Sequence, residues 1–374
     1  MAFTARDVLR ALRSVVDPER DKDIVRLNMV RNLTVEDDAV SFTVVLKSPT
    51  APFADDVQAL ATSAVRQALG DDLTVNVALD NEMIGLGDDL QVSGSGQQQS
   101  AEDPTPGVLN TIAVASGKGG VGKSTVAVNL ALSLAKEGYD VGLIDTDIYG
   151  PSVPTMLGLE GEKPRVSDER KIIPLQKYGL KVLSMGFMID PQKAVIWRGP
   201  MVTKAIRQFL GDTDWGTLDY LVMDLPPGTG DIQLTIVQTV SLTGAVIVST
   251  PQEVALADAR KGVSMFDNVN VPVLGIVENM AFFTPPDLPD RKYYLFGQGG
   301  ARHLARDLDV PFLGEIPIEQ AVRESGDDGE PIVAAAPDSA SAKAFRGATR
   351  HMVDEVALRN AEQPPSQQVE ILYR

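Results

Sequence analysis

Residues 117–125 read Gly117-Lys118-Gly119-Gly120-Val121-Gly122-Lys123-Ser124-Thr125, and this stretch decides the fold. It satisfies the pattern G-x-x-x-x-G-K-[ST], in which glycines let successive backbone N–H groups close around phosphate oxygens. An apolar run, Thr111–Ala115, precedes it, and the residues after it put Val126, Leu130, Ala131 and Leu134 on one helical face. Strand, glycine loop and helix N-terminus in that order form an anion site, because the helix dipole and the unpaired N–H groups both favour negative charge. The whole loop from Gly117 to Thr125 is therefore expected to cradle the phosphates of ATP. Lys123 contacts the β- and γ-phosphates in this reading, and the Ser124 hydroxyl ligates Mg²⁺.

Two further segments follow apolar runs, at the strand ends where open α/β sheets bind ligands. Asp145-Thr146-Asp147-Ile148-Tyr149-Gly150-Pro151-Ser152 comes directly after Val141–Ile144. A carboxylate here can orient an attacking water, or hold a metal-bound water, near the γ-phosphate. Asp145 serves either that end or the capping of its own loop. Leu221-Val222-Met223-Asp224 reads as a Walker B strand whose carboxylate holds Mg²⁺ through water. The Pro226-Pro227-Gly228-Thr229-Gly230 that follows suits a loop sensing the γ-phosphate.

Around these motifs, short Val/Ile-rich runs alternate with helical stretches: Thr111–Ala115, Val141–Ile144, Leu180–Met185, Tyr220–Met223, Ala245–Val248, Val273–Val277 and Phe312–Ile316. Continuous apolar runs between helices imply parallel strands buried on both faces. The fold expected for residues 107–358 is a doubly wound, mostly parallel α/β sheet of the P-loop NTPase type. Before it, residues 1–84 read as a small α/β domain: helix Thr4–Val16, strands Arg31–Glu36 and Ala39–Leu46, helix Phe53–Leu69, strand Thr74–Leu79. Its second helix carries a stripe of Val57, Leu60, Ala61, Ala64 and Ala68. From Gln67 to Gly117 there are eight carboxylates and no Lys or Arg. Within that stretch, residues 85–106 are rich in Gly, Ser and Gln and read as a flexible linker. Residues 359–374 read as a mobile tail.

The 374 residues include no cysteine, 51 acidic and 34 basic side chains, and a net charge of −17. No disulfide, thiolate nucleophile or thiolate-held iron–sulfur cluster can be built from such a chain alone. The acidic balance argues against a general nucleic-acid binder, whose footprint is basic. No apolar run reaches the ~18–20 residues that span a membrane. The N-terminal stretch, with Asp7 and an apolar helical stripe, reads as a domain's first helix rather than a transit peptide, so a cytoplasmic location is expected.

With Lys118 inside it, the glycine loop resembles the deviant Walker A of the MinD/ParA/nitrogenase-iron-protein class of ATPases. That resemblance implies a face-to-face homodimer in which Lys118 reaches the partner's nucleotide. It also implies that Asp147 is the switch I residue positioning water, and that Asn279 and Pro317 contact adenine. The catalytic set it implies is Lys118, Lys123, Asp147 and Asp224. More narrowly, Ile196-Trp197-Arg198-Gly199-Pro200-Met201, Val277-Glu278-Asn279-Met280 and Phe296-Gly297-Gln298-Gly299-Gly300, in order with the motifs above, resemble the Mrp/ApbC branch of iron–sulfur cluster carrier ATPases. Asp17-Pro18-Glu19, Asp23-Ile24-Val25 and Ser48-Pro49-Thr50-Ala51-Pro52 resemble the SufT-like assembly domain often fused to these carriers. The branch implies ATP hydrolysis, slow without a partner, and transfer of clusters to apoproteins. Its members usually carry Cys-x-x-Cys where this chain has Ala281 to Leu295, and Ala51 stands where the small domain commonly has cysteine. His303 and His351 lie outside the cluster loop and read as surface or capping residues. A second reading follows: an ATP-dependent dimeric switch or scaffold in cluster assembly that carries no cluster. A ParA- or MinD-like positioning ATPase fits less well, because the tail is short, not basic, and the chain is acidic.

Overall fold

The computed structural model describes residues 3–46, 52–81, 105, 107–187 and 199–363. The expected linker (Thr105 aside), Ser48–Ala51, Ile196–Arg198 and the chain beyond Gln363 lie outside the described residues. Two compact units emerge, one taking the N-terminal residues through Asn81 together with 354–363, the other taking 105–353.

In the smaller unit, Thr4 and Asp7 cap the helix Ala5–Leu12 reciprocally: the Asp7 carboxylate accepts the Thr4 N–H at 2.9 Å, and the Thr4 hydroxyl accepts the Asp7 N–H at 3.4 Å. This helix stops four residues before the expected Val16. The β-branched pair Val15 and Val16 goes extended instead, burying Val15 and exposing Val16, and Val16–Asp17 pairs with Lys22–Asp23. A three-stranded sheet follows, with Ala39–Leu46 antiparallel to Val30–Val35 and parallel to Thr74–Asn81. Val40, Phe42, Val44 and Leu46 alternate inward, as a one-sided strand must. The crossover helix Ala54–Leu69 buries Ala54, Val57, Ala61 and Val65. Leu60, expected in that stripe, is 55% exposed, because it lies about 100° around the helix from Ala61.

The last helix among the described residues, Ala340–Glu362, completes this core. Ala357 and Ala361 are buried within it, and Leu358 packs against it. Arg6 pairs with Glu355 at 2.5 Å and Arg13 with Asp354 at 2.9 Å. The Asn360 amide donates to the Asn28 side-chain oxygen at 3.0 Å. The boundary expected at 358/359 thus falls inside a helix, and Arg359–Glu362 are helical rather than the start of a tail.

The larger unit is built on an eight-stranded sheet. Its strands are β1 (Val108–Ala115), β2 (Val141–Asp145), β3 (Leu175–Lys177), β4 (Leu180–Ser184), β5 (Leu218–Asp224), β6 (Gly244–Ser249), β7 (Val273–Glu278) and β8 (Phe312–Glu315). They lie in the order β3-β4-β2-β5-β1-β6-β7-β8, all parallel except the edge strand β3. All seven apolar runs read from the sequence are strands of this sheet. The missed eighth, Leu-Gln-Lys, is short and half exposed, with no apolar run to betray it. Every residue of β2, β5 and β6 is buried. Helix α1 (Lys123–Lys136), which follows the glycine loop, is buried continuously from Val126 to Leu134, so its sequence is apolar on more than one face. Chain order reverses at β1: β2 lies to one side of it and β6 to the other, leaving a crevice above its carboxyl end.

A carboxylate at Ala361 would enter the smaller unit's core without a partner, which is costly. Native-state hydrogen exchange on Ala361→Glu is expected to show lost protection along Ala39–Leu46 while the amides of β1 stay protected.

Candidate nucleotide site

The loop from Gly117 to Gly122 leaves the end of β1 and feeds α1, whose first residue is Lys123. Two of its glycines are fixed by close approach. A Cβ on Gly117 would meet the Asp258 carbonyl at 2.2 Å, and one on Gly122 would meet the Asn279 side-chain nitrogen at 2.2 Å. The Asn279 amide donates to the Val121 carbonyl at 2.9 Å, tying the end of β7 to the loop. Ser116 joins the loop to itself, its hydroxyl donating to the Lys118 carbonyl at 3.0 Å. The Lys118 side chain is half exposed at the crevice rim.

Lys123 and Asp224 form a salt bridge at the centre of the site, with the ammonium 6% exposed and the carboxylate wholly buried. The same ammonium lies 3.2 Å from the Ser124 hydroxyl. Asp224 brings only one oxygen to that pair; its other oxygen, Oδ2, is buried with no hydrogen-bond partner. A hydroxyl and an orphaned carboxylate oxygen beside one another are hard donors that suit Mg²⁺, directly or through its waters. Burial pushes the Asp224 carboxyl up against the pull of the Lys123 ammonium.

Asp145, at the end of β2, is also wholly buried. It accepts from the Asp147 N–H at 3.0 Å, the Ser184 hydroxyl at 3.0 Å and the Val153 N–H at 3.3 Å. This geometry belongs to the capping alternative for Asp145: it shapes the loop that carries Asp147. Burial first, and the neighbouring Asp224 charge second, raise the Asp145 carboxyl to about 7. Asp147 accepts the N–H groups of Tyr149 at 3.2 Å and Gly150 at 3.1 Å, which turns the chain back on itself. A cavity of about 620 Å³ separates this turn from the loop after β5; Asp147, Tyr149, Pro226, Pro227, Asp231 and Gln233 are among its lining residues. Pro317 is buried after β8, and its carbonyl accepts the Ser341 hydroxyl at 3.4 Å.

Three residues here escaped the sequence reading. Ser184 orients Asp145. Glu278 is buried and accepts the Ala301 N–H at 2.6 Å, stapling both ends of the intervening loop. Gln233 is buried under the loop after β5. Two of them left a signal in the sequence: Glu278 lies in the Val277–Met280 motif, and Gln233 follows Gly230 by three residues, the spacing of a capping glutamine.

The segment Ala281–Leu295 folds back on itself, Phe283 and Tyr293 exchanging backbone hydrogen bonds at 2.9 and 2.8 Å. Lys292 covers the Phe282 ring at 3.8 Å, and Asp287 and Asp290 are exposed. Among the described residues, no group of three or more His, Cys, Asp or Glu side chains is placed to hold a metal ion. His351 is bound to the Leu313 carbonyl at 2.7 Å, and His303 is exposed.

The family model described as NUBPL iron-transfer P-loop NTPase matches residues 107–353, and one described as iron–sulfur cluster assembly protein matches residues 5–77. An iron–sulfur cluster carrier protein of Synechocystis sp. is 48% identical over 360 residues, 95% of this chain and 99% of that one. A protein of the same name from Deinococcus radiodurans is 43% identical over 361 residues, 96% and 98% of the two chains. Among solved structures, a nucleotide-binding protein of Archaeoglobus fulgidus in complex with ADP is 46% identical with a TM-score of 0.54, covering 59% of this chain and 87% of that one.

Between about pH 4, where an unfolded Asp ionises, and about 7, the folded chain keeps the Asp145 proton that the unfolded chain has lost. Stability of the nucleotide-free protein therefore falls as pH rises through that window. Thermal melting should show a drop from pH 5 to pH 7.5 in the wild type and a flatter profile in Asp145→Asn, which keeps an acceptor oxygen but cannot ionise.

Proposed function

Because the chain belongs to the NUBPL-type family of iron-transfer P-loop NTPases, we propose that it hydrolyses ATP as a homodimer and uses that cycle in handling iron–sulfur clusters for apoproteins. The observation that carries this reading is the buried Lys123–Asp224 pair with Ser124 beside it. A P-loop lysine, a Mg²⁺-ligating hydroxyl and a Walker B carboxylate meet there at the carboxyl edge of the sheet. When bound, Mg²⁺ neutralises charge on the phosphates, with Ser124 holding it and Asp224 holding one of its waters.

Within that scheme Lys123 binds the β- and γ-phosphates, and the N–H groups of Gly119 to Thr125 close around them. Asp147 orients the attacking water; its loop is already shaped by Asp145. Asn279 and Pro317 meet the adenine, and the Asn279 contact with Val121 links base recognition to the loop. Lys118, half exposed at the rim, reaches the nucleotide of the second subunit. A location in the cytoplasm suits such a cycle, and no helix among the described residues is long and apolar enough to cross a membrane.

The cargo poses a separate chemical question. The chain has no cysteine, and the carboxylates of Asp287 and Asp290 are hard ligands poorly matched to an iron–sulfur cluster. This observation favours a second reading, in which the protein is an ATP-driven switch in cluster assembly and any cluster thiolates come from another molecule. Anaerobic reconstitution with iron and sulfide separates the two. Protein that stays colourless while still binding ATP supports the switch, and stoichiometric iron and sulfide on the chain alone would overturn it.

Lys123→Ala is expected to lose ATP turnover by at least about 100-fold, since phosphate stabilisation of this kind is worth that much or more. Turnover that survives it would refute the hydrolysis reading. Lys118→Ala should keep nucleotide binding, measured by titration with a fluorescent ADP analogue, while losing turnover and ATP-dependent dimerisation in light scattering.

A further inference from the structure

The loop between β5 and the next helix, Asp231–Thr239, carries the Pro226-Pro227-Gly228-Thr229-Gly230 sequence that suits sensing of the γ-phosphate. Its shape is set from beneath by one side chain. Gln233 is 3% exposed, and its amide uses both of its ends on this loop. The nitrogen donates to the Pro226 carbonyl at 2.6 Å, and the oxygen accepts the Gly230 N–H at 2.7 Å. Between those two anchors, the Gly228 N–H donates to the Ser116 carbonyl at 2.9 Å, immediately before the phosphate loop. A single neutral amide therefore spans the loop from its first turn to its last, and the loop's midpoint is fastened to the nucleotide cradle.

We propose that Gln233 is the positioning residue of this loop. It holds Pro226–Gly230 in the one shape that keeps Gly228 against Ser116, and through that contact it sets turnover without touching the nucleotide. The proposal rests on the hydrolysis reading above for its effect on rate, and on geometry alone for its effect on the loop. Only an amide can fill the role. A carboxylate of the same size accepts from Gly230 but cannot donate to Pro226, and alanine does neither. Gln233 and the groups it holds lie beneath the loop, and a buried group left unpaired drives the loop elsewhere.

The test compares Gln233→Ala and Gln233→Glu with the wild type. In Gln233→Ala, kcat for ATP should fall about 10-fold, with KM for ATP and ADP affinity within twofold, since the phosphate cradle itself is untouched. Gln233→Glu should be intermediate at pH 8 and move towards the wild type at pH 6, as protonation restores a donor; Gln233→Ala should show no such recovery. Hydrogen exchange at the Gly228 and Gly230 amides should be slow in the wild type and fast in Gln233→Ala, with the amides of β1 unchanged. A kcat within twofold of the wild type, or undiminished protection at Gly228 and Gly230, would overturn the proposal. A wild type that shows no Lys123-dependent turnover defeats the hydrolysis reading instead, and the exchange measurement still decides the role of Gln233.

Discussion

An ammonium and a carboxylate buried against one another, Lys123 and Asp224, are the constraint on which the rest of the site depends. Two charges withdrawn from water are tolerated only when each satisfies the other and the geometry around them is fixed. The sheet supplies that geometry. Asp224 ends β5 and Lys123 begins α1 after β1, and these two strands are hydrogen-bonded neighbours with Asp224 opposite Val114. The pair is also incomplete in one respect, because Asp224 keeps an orphaned oxygen. A surplus carboxylate acceptor beside a cation is the hard donor that would suit Mg²⁺, directly or through one of its waters.

Surrounding groups convert this local charge balance into loop shape. Asp145 adds a second buried carboxyl next to Asp224, which is why its proton is held so tightly, and its acceptor oxygens fold the turn that carries Asp147. Thr146 ties that turn to β5 by donating from both its N–H and its hydroxyl to the Asp224 carbonyl, at 3.0 and 2.8 Å. Asn279 and Ser116 attach the phosphate loop to its neighbours on either side. Each of these loops is therefore hydrogen-bonded to a neighbouring element at the crevice.

The sequence made the centre of this arrangement legible and left its supports hidden. A motif such as Gly117–Thr125 is recognisable because backbone closure around phosphate demands glycine at fixed spacing. The seven sheet strands are recognisable because burial on both faces demands unbroken apolar runs. Ser184, Glu278 and Gln233 obey no such rule: each is one polar residue whose partner lies in a distant part of the chain or across a loop. The same reason explains the misplaced boundary at the C-terminus. Ala357 and Ala361 are small residues on an ordinary helix, and nothing local reveals that the core they fill belongs to residues about 280 to 350 positions earlier. Leu60 shows the opposite error, an apolar residue counted into a stripe that the helical rotation carries it out of.

Absence of cysteine acquires its meaning only against this background. In a chain of unknown class it would exclude disulfides and little else. Here the chain belongs to a family of iron-transfer NTPases, brings Lys123, Ser124 and Asp224 together, and folds the segment Ala281–Leu295 into a paired, aromatic-rich turn. That segment, pinned by Phe283–Tyr293 pairing, by Lys292 over Phe282 and by the Glu278 staple, is stabilised by contacts of its own. Buried charge at the sheet's edge thus fixes the nucleotide site, while Ala281–Leu295, a segment with no thiol to offer a cluster, is held by contacts of its own.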